Sequence, residues 1–261
     1  MKRLKYSIAL SLLGAAAAAQ LPPADIRNFV SCPIVRDTST VPCWLSEYEG
    51  ELYYLGIQTD ISADFHPPYL EHQVVVEGTV SNAPRICGGI VLDPVKISVV
   101  AEIDKNCDQI LPAEDRYQID FSPRPPGPSG GRLAFGGPGD PGARQPPPPL
   151  TGPQTFTIRY EFDGKVEGPN AGELGQIVRY AEQIKASRIE ITGYRSSILL
   201  SDGSVLEEKA DLGKTRAKEA ALLLMAGGLS GYEFDVNWEQ APAADGVQDW
   251  AFRKTEVTVL P

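Results

Sequence analysis

Apolar residues along this chain fall into two patterned stretches, separated by a segment that has almost none. In the first stretch, from about Cys32 to Ile119, they come in short runs bounded by turn residues, which predicts strands. The runs are Trp44–Tyr48, Glu51–Ile57, His72–Val80, Gly88–Leu92 and Val95–Ala101, with Glu49-Gly50 as a turn between the first two. In the second stretch, from Thr155 to Pro261, two periods alternate. Phe156–Phe162 alternates as a half-buried strand, and Leu174, Ile177, Ala181 and Ile184 then share a helical face. Arg188–Gly193 is a strand, and Asp211–Ala226 an Ala/Leu-rich helix stopped at Gly227-Gly228. Phe234, Val236 and Trp238 alternate, and Glu256–Leu260 closes the chain. The expected order is β-α-β-α-β-β, with both helices on one face of a four-stranded sheet, and the expected fold class is α+β.

Composition divides the 261 residues into four parts. Residues 1–19 read as a signal peptide: Lys2, Arg3 and Lys5 precede the apolar run Ser7–Leu13, and Ala17-x-Ala19 offers a cleavage site. That run is too short to span a bilayer, and no later apolar run reaches spanning length. Residues 20–120 form the β module. Residues 121–154, with Pro146–Pro149 and Gly136-Gly-Pro-Gly, cannot bury enough surface to fold and read as a linker. Residues 155–261 form the second module. The expected location is the periplasm, in association with the outer membrane or cell wall.

Export decides how the four cysteines read. Cys32, Cys43, Cys87 and Cys107 all precede the linker, and an oxidising compartment predicts two disulfides among them. Three pairings are open. The local set, Cys32–Cys43 with Cys87–Cys107, is favoured because short closures cost less chain entropy. No Cys-x-x-Cys spacing points to zinc.

The Tyr-Tyr-Leu-Gly strand followed by Val-Val-Val-Glu-Gly-Thr-Val resembles small extracytoplasmic OB-like domains, which implies a small bent β-barrel for the first module. Tyr53 and Tyr54 are adjacent, so one of them faces inward, and ordinary packing outweighs a stacking platform. In the second module, Thr192-Gly193 ends a strand and Leu212-Gly-Lys-Thr-Arg216-Ala217 opens a helix. With the strand order, this resembles the OmpA-like C-terminal domain. The resemblance implies non-covalent binding of peptidoglycan. In that family a loop aspartate and the helix arginine hold the diaminopimelate of the stem peptide.

Carried onto this sequence, Arg216 takes the place of the family's arginine and Gly193 that of its glycine. Ser196 stands at the aspartate position, Lys209 at the asparagine position and Gly213 at the serine position. The loop is longer than the family's, and Asp202 within the insertion is a candidate replacement carboxylate. Arg195 and Lys209 make the loop more basic. A serine there keeps a hydrogen bond and loses an ion pair. The expected ligand-binding set is therefore Arg216, Ser196, Asp202, Arg195 and Gly193.

The net charge of −10 argues against nucleic acid as a partner. His66 and His72 lack metal or triad spacing, and Asp60, Asp64 and His66 supply too few oxygen ligands for a divalent-ion loop. No nucleophile elbow, zincin or phosphate-loop motif is present. The expectation is an envelope binding protein without catalysis, cofactor or metal. Its partners are peptidoglycan and other envelope proteins. The alternative is an interaction scaffold whose OmpA-like domain is degenerate and binds protein instead of cell wall.

Overall fold

A computed structural model describes residues 21–57, 65–117, 119, 152–165 and 170–261. The expected signal peptide, nearly all of the expected linker, and Asp60 and Asp64 lie outside the described residues. The fold is α+β, mostly sheet, with two α-helices among the described residues.

The first module contains β1 (Ile26–Ser31), β2 (Pro33–Arg36), β3 (Cys43–Tyr48), β4 (Glu51–Ile57), β5 (His72–Val80), β6 (Ile90–Ile103) and the short β7 (Ile110–Leu111). They form one sheet in the order β1-β5-β6-β4-β3-β2-β7. The expected closed barrel is not formed: β1 and β7 are the two edges of an open sheet. Two residue-level causes account for this. The segment ahead of Cys32, where the apolar pattern predicts no strand, is β1, which pairs antiparallel along β5 from Ile26↔Thr79 to Ser31↔Val74. The runs read as two strands are one 14-residue strand, β6. Its start lies parallel to β4 at Tyr53↔Ile90, and its remainder lies antiparallel to β5. A single long strand thus joins two half-sheets, each with its own core. Phe29, Tyr53, Leu55, Val74 and Val76 fill one core; Ile34, Cys43, Leu45 and Cys87 fill the other. Glu49 and Gly50, at φ 51 and 78, make the β3–β4 turn, the conformation a two-residue hairpin requires. Tyr53 packs into the core against Phe29, its ring centroid 5.2 Å away.

All four cysteines are bridged, but across the module and not locally: Cys32 to Cys107 and Cys43 to Cys87. The hairpin explains why the local pair fails. Cys43 sits opposite Arg36 in the β2–β3 ladder, four residues beyond Cys32. At ~3.3 Å per residue, the two cysteines lie about 13 Å apart along the ladder. A disulfide needs Cα atoms within roughly 7 Å.

The second module begins with β8 (Gln154–Arg159) and α1 (Ala171–Ile184), followed by β9 (Arg188–Arg195). A hairpin of β10 (Ser197–Leu199) and β11 (Val205–Glu207) intervenes before α2 (Leu212–Leu224), β12 (Glu233–Gln240) and β13 (Lys254–Leu260). The sheet order is β12-β9-β13-β8, with β12 parallel to β9 and the other pairs antiparallel. Both helices pack on one face, over Ile158, Ile189, Ile191, Val257 and Val259, as the periodicity predicts. Helix α2 ends through a π-turn (Met225–Leu229) in which Gly228 adopts φ 124. The β10–β11 hairpin is the lengthened loop, and the sequence pattern did not mark it as structured.

The two modules dock face to face. Asn28, Glu77 and Lys96 form one cross-strand row on β1, β5 and β6, and Val30, Val75 and Ser98 form the next. The second module packs against this side of the sheet. Asn28 and Ser201 exchange two hydrogen bonds, from Asn28 N to Ser201 Oγ (2.9 Å) and from Ser201 N to Asn28 O (2.8 Å). The Asn28 amide also donates to the carbonyls of Leu199 (3.0 Å) and Gly246 (2.9 Å). Phe162 N donates to Ser98 Oγ at 2.8 Å, and Arg253 pairs with Glu77. Asp249 organises the second module's side of this seam: its carboxylate accepts from the backbone N–H groups of Leu199, Asp245 and Gly246. Burial raises the pKa of Asp249, and those three bonds partly offset the rise.

Candidate functional site

The end of β9, the inserted hairpin and the start of α2 meet where the sequence predicts a ligand clamp. Close backbone approach makes the meeting possible. A Cβ on Gly193 would lie 2.2 Å from Gly213 O, and one on Gly213 would lie 3.0 Å from Arg195 N. Glycine at both positions therefore lets α2 start directly against the strand. This brings Arg216, one helical turn later, beneath the strand end.

Arg216 is fully buried, and each of its five N–H groups has a partner within the chain. Nε donates to Gly164 O (2.8 Å), Nη1 to Tyr194 O (2.8 Å) and Glu208 Oε2 (2.9 Å), and Nη2 to Glu161 O (3.3 Å) and Glu208 Oε1 (2.7 Å). The pair with Glu208 is a two-pronged fork, the strongest guanidinium–carboxylate arrangement, and both side chains are 0 % exposed. The guanidinium also lies 4.6 Å above the Tyr160 ring. Burial pushes the Tyr160 phenol up to about 12, against the lowering effects of its bond to Thr255 and of the Arg216 charge.

Glu208 is equally satisfied. Beyond Arg216, it accepts from Ser196 N (2.8 Å), Ser196 Oγ (3.3 Å) and Asp163 N (3.1 Å). The hairpin thus delivers a carboxylate into the fork of the Arg216 guanidinium. Ser196 touches that carboxylate directly.

Of the predicted site residues, Arg216, Ser196 and Gly193 come together at this closure. Asp202 does not join them. It lies exposed at the hairpin turn, where its carboxylate accepts from Ser204 N and Oγ, and these bonds lower its pKa. Arg195 braces the hairpin base through Glu208 O, Gln240 and Glu207. Lys209 pairs with Asp163 at 3.5 Å. Glu208 was missed. The available signal was a carboxylate in the inserted segment, eight residues before Arg216. A cleft of about 460 Å³ opens beside the closure, lined in part by Glu161, Asp163, Lys165 and Lys209; Arg216 is not among its walls.

No family profile matches the chain, and no curated protein matches it. Among solved structures, the chain is similar to the OmpA-like domain of FopA1 from Francisella tularensis subsp. tularensis SCHU S4. The two are 12 % identical at a TM-score of 0.33, over 41 % of this chain and 71 % of that one. A likeness this distant carries no argument about activity. No described helix is long and apolar enough to cross a membrane.

Proposed function

We propose that this protein is a non-enzymatic, extracytoplasmic interaction scaffold. In this reading its second module keeps an OmpA-like arrangement of elements but uses Arg216 as an internal structural group and not as a wall-binding one. The observation that carries the reading is the saturation of Arg216: five donors, five internal acceptors, and a buried forked pair with Glu208. To grip a ligand's carboxylate, Arg216 would have to release Glu208. That would leave a buried charge uncompensated, at a cost of about 3–5 kcal/mol. The docked modules then form one platform that presents its outer surfaces to other envelope proteins. The two disulfides fit an oxidising location.

Co-sedimentation of the full chain with purified sacculi tests this. The expected result is no pelleting above a control protein at low salt, for the wild type and for Arg216→Lys alike. Pelleting by the wild type that disappears in a folded Arg216→Lys variant would replace the scaffold reading with peptidoglycan binding through Arg216.

A further inference from the structure

A second arginine, at the seam between the modules, is in the opposite condition from Arg216. Arg253 is 2 % exposed and pairs through Nη2 with Glu77, yet among the described residues its Nε and Nη1 have no partner, and neither has Glu77 Oε1. Buried donors left unmade cost about 1–3 kcal/mol each; both nitrogens are shut off from solvent, so Arg253 acts on its surroundings through its charge. Arg253 lines a cleft of about 340 Å³, and two further cations line it as well. Lys96 Nζ stands 4.8 Å and the Arg159 guanidinium 6.0 Å from the centroid of Trp250, which forms another wall. Against these, Glu161 and the paired Glu77 supply the facing negative charges, and His66 lies at the rim. Three cations therefore line the cleft with Glu161, while Glu77 pairs with Arg253 and Asp249 lies near enough to act on Glu77. The lining of the cleft thus carries more cationic than anionic side chains, on a chain of net charge −10.

From this arrangement, we infer that the seam cleft is a binding site for a small organic carboxylate, held by the exposed Lys96 and Arg159 beside the Trp250 wall, with the buried Arg253 charge behind them. Guanidinium and ammonium groups around a partly dry, aromatic-walled cleft suit a carboxylate better than a neutral polar group. The volume suits a ligand of sugar or dipeptide size. The carboxylate could belong to a uronic acid or to a peptide C-terminus. The site is separate from the Arg216 closure and is independent of the scaffold reading.

The test uses the full-length chain, labelled with ¹⁵N, and follows the Trp250 indole N–H, assigned with Trp250→Phe. Ligands are glucuronate, glucose, and an N-acetylated dipeptide with a free or an amidated C-terminus, all at constant ionic strength. The expected result is a saturable shift of the Trp250 signal with glucuronate or the free-acid dipeptide, and none with glucose or the amide. Lys96→Ala/Arg159→Ala, which changes only exposed side chains, should weaken that binding by about tenfold or more. Stronger binding of glucuronate assigns an acidic saccharide; stronger binding of the free-acid dipeptide assigns a peptide terminus. The proposal is overturned if no carboxylate gives a saturable Trp250 shift up to about 50 mM, well beyond millimolar affinity. It is equally overturned if the neutral analogues shift the signal as much, or if the double variant binds as tightly as the wild type.

Discussion

Among the described residues, two arginine–glutamate pairs are buried on both sides, and they are built differently. Arg216–Glu208 lies within the second module, with every donor and nearly every lone-pair direction used. Arg253–Glu77 joins the modules and leaves three buried polar atoms open. The residue types and the burial are the same, so what differs is the surroundings. The first pair is wrapped by backbone carbonyls from the β8–α1 connection and β9. The second sits where two sheets meet, and neither supplies the remaining acceptors among the described residues. A completed pair behaves as part of the core, whereas an incomplete one at a seam is where a ligand or a conformational change has leverage.

The sharpest way to break the comparison is Glu208→Gln. It leaves Arg216 charged, buried and without its fork, and should lower stability by about 3–5 kcal/mol, read as a shift in urea midpoint. A loss below about 1 kcal/mol would mean that the pair is not the structural closure described. Asn28→Ala should cost about 1–3 kcal/mol, because the carbonyls of Leu199 and Gly246 lose their buried donor. Its signature is increased hydrogen exchange along β1 and β10, with α1 and α2 unaffected.

The smallest and most diagnostic effect is that of Glu77→Gln. Burial raises the Glu77 pKa, and Arg253 only partly offsets this. The folded state thus favours the protonated form more than the unfolded chain does. The contribution of Glu77 is therefore fully present below the ordinary value of 4.5 and is lost as pH rises through the higher folded value. The Gln variant should match the wild type at acid pH and be at least as stable at pH 7. A variant that becomes progressively less stable than the wild type as pH rises would show the two pairs to be equivalent.

Much of the second module was legible because its periods are clean. Leu174, Ile177 and Ala181 mark α1, alternation marks β12, and Gly227-Gly228 marks the end of α2. The first module was less legible for physical reasons. The strand β1 carries Arg27 and Asn28 among its apolar residues, and Asn28 is buried only because another module covers it. Its polar pattern therefore looks like a loop. The run from Ile90 to Ile103 looks broken at Asp93-Pro94 but continues as one strand. The disulfide pairing depended on hairpin register, which spacing alone does not reveal. At the candidate site, the frame of Gly193, Ser196 and Arg216 could be read in order. The partner could not: Glu208 reaches Arg216 only because β10 and β11 fold back as a hairpin.

The contact between Asn28 and Ser201 spans 173 positions, far more than the 44 and 75 spanned by the disulfides. A chain that emerges from its amino end completes the first module well before the hairpin exists. Until then Asn28 and Glu77, buried in the finished fold, face water beside Lys96, and charged and amide side chains tolerate that exposure well. A wholly apolar seam would present a sticky face during this interval. The polar seam thus lets the leading half wait in solution for the trailing half, and assembly follows the order of synthesis.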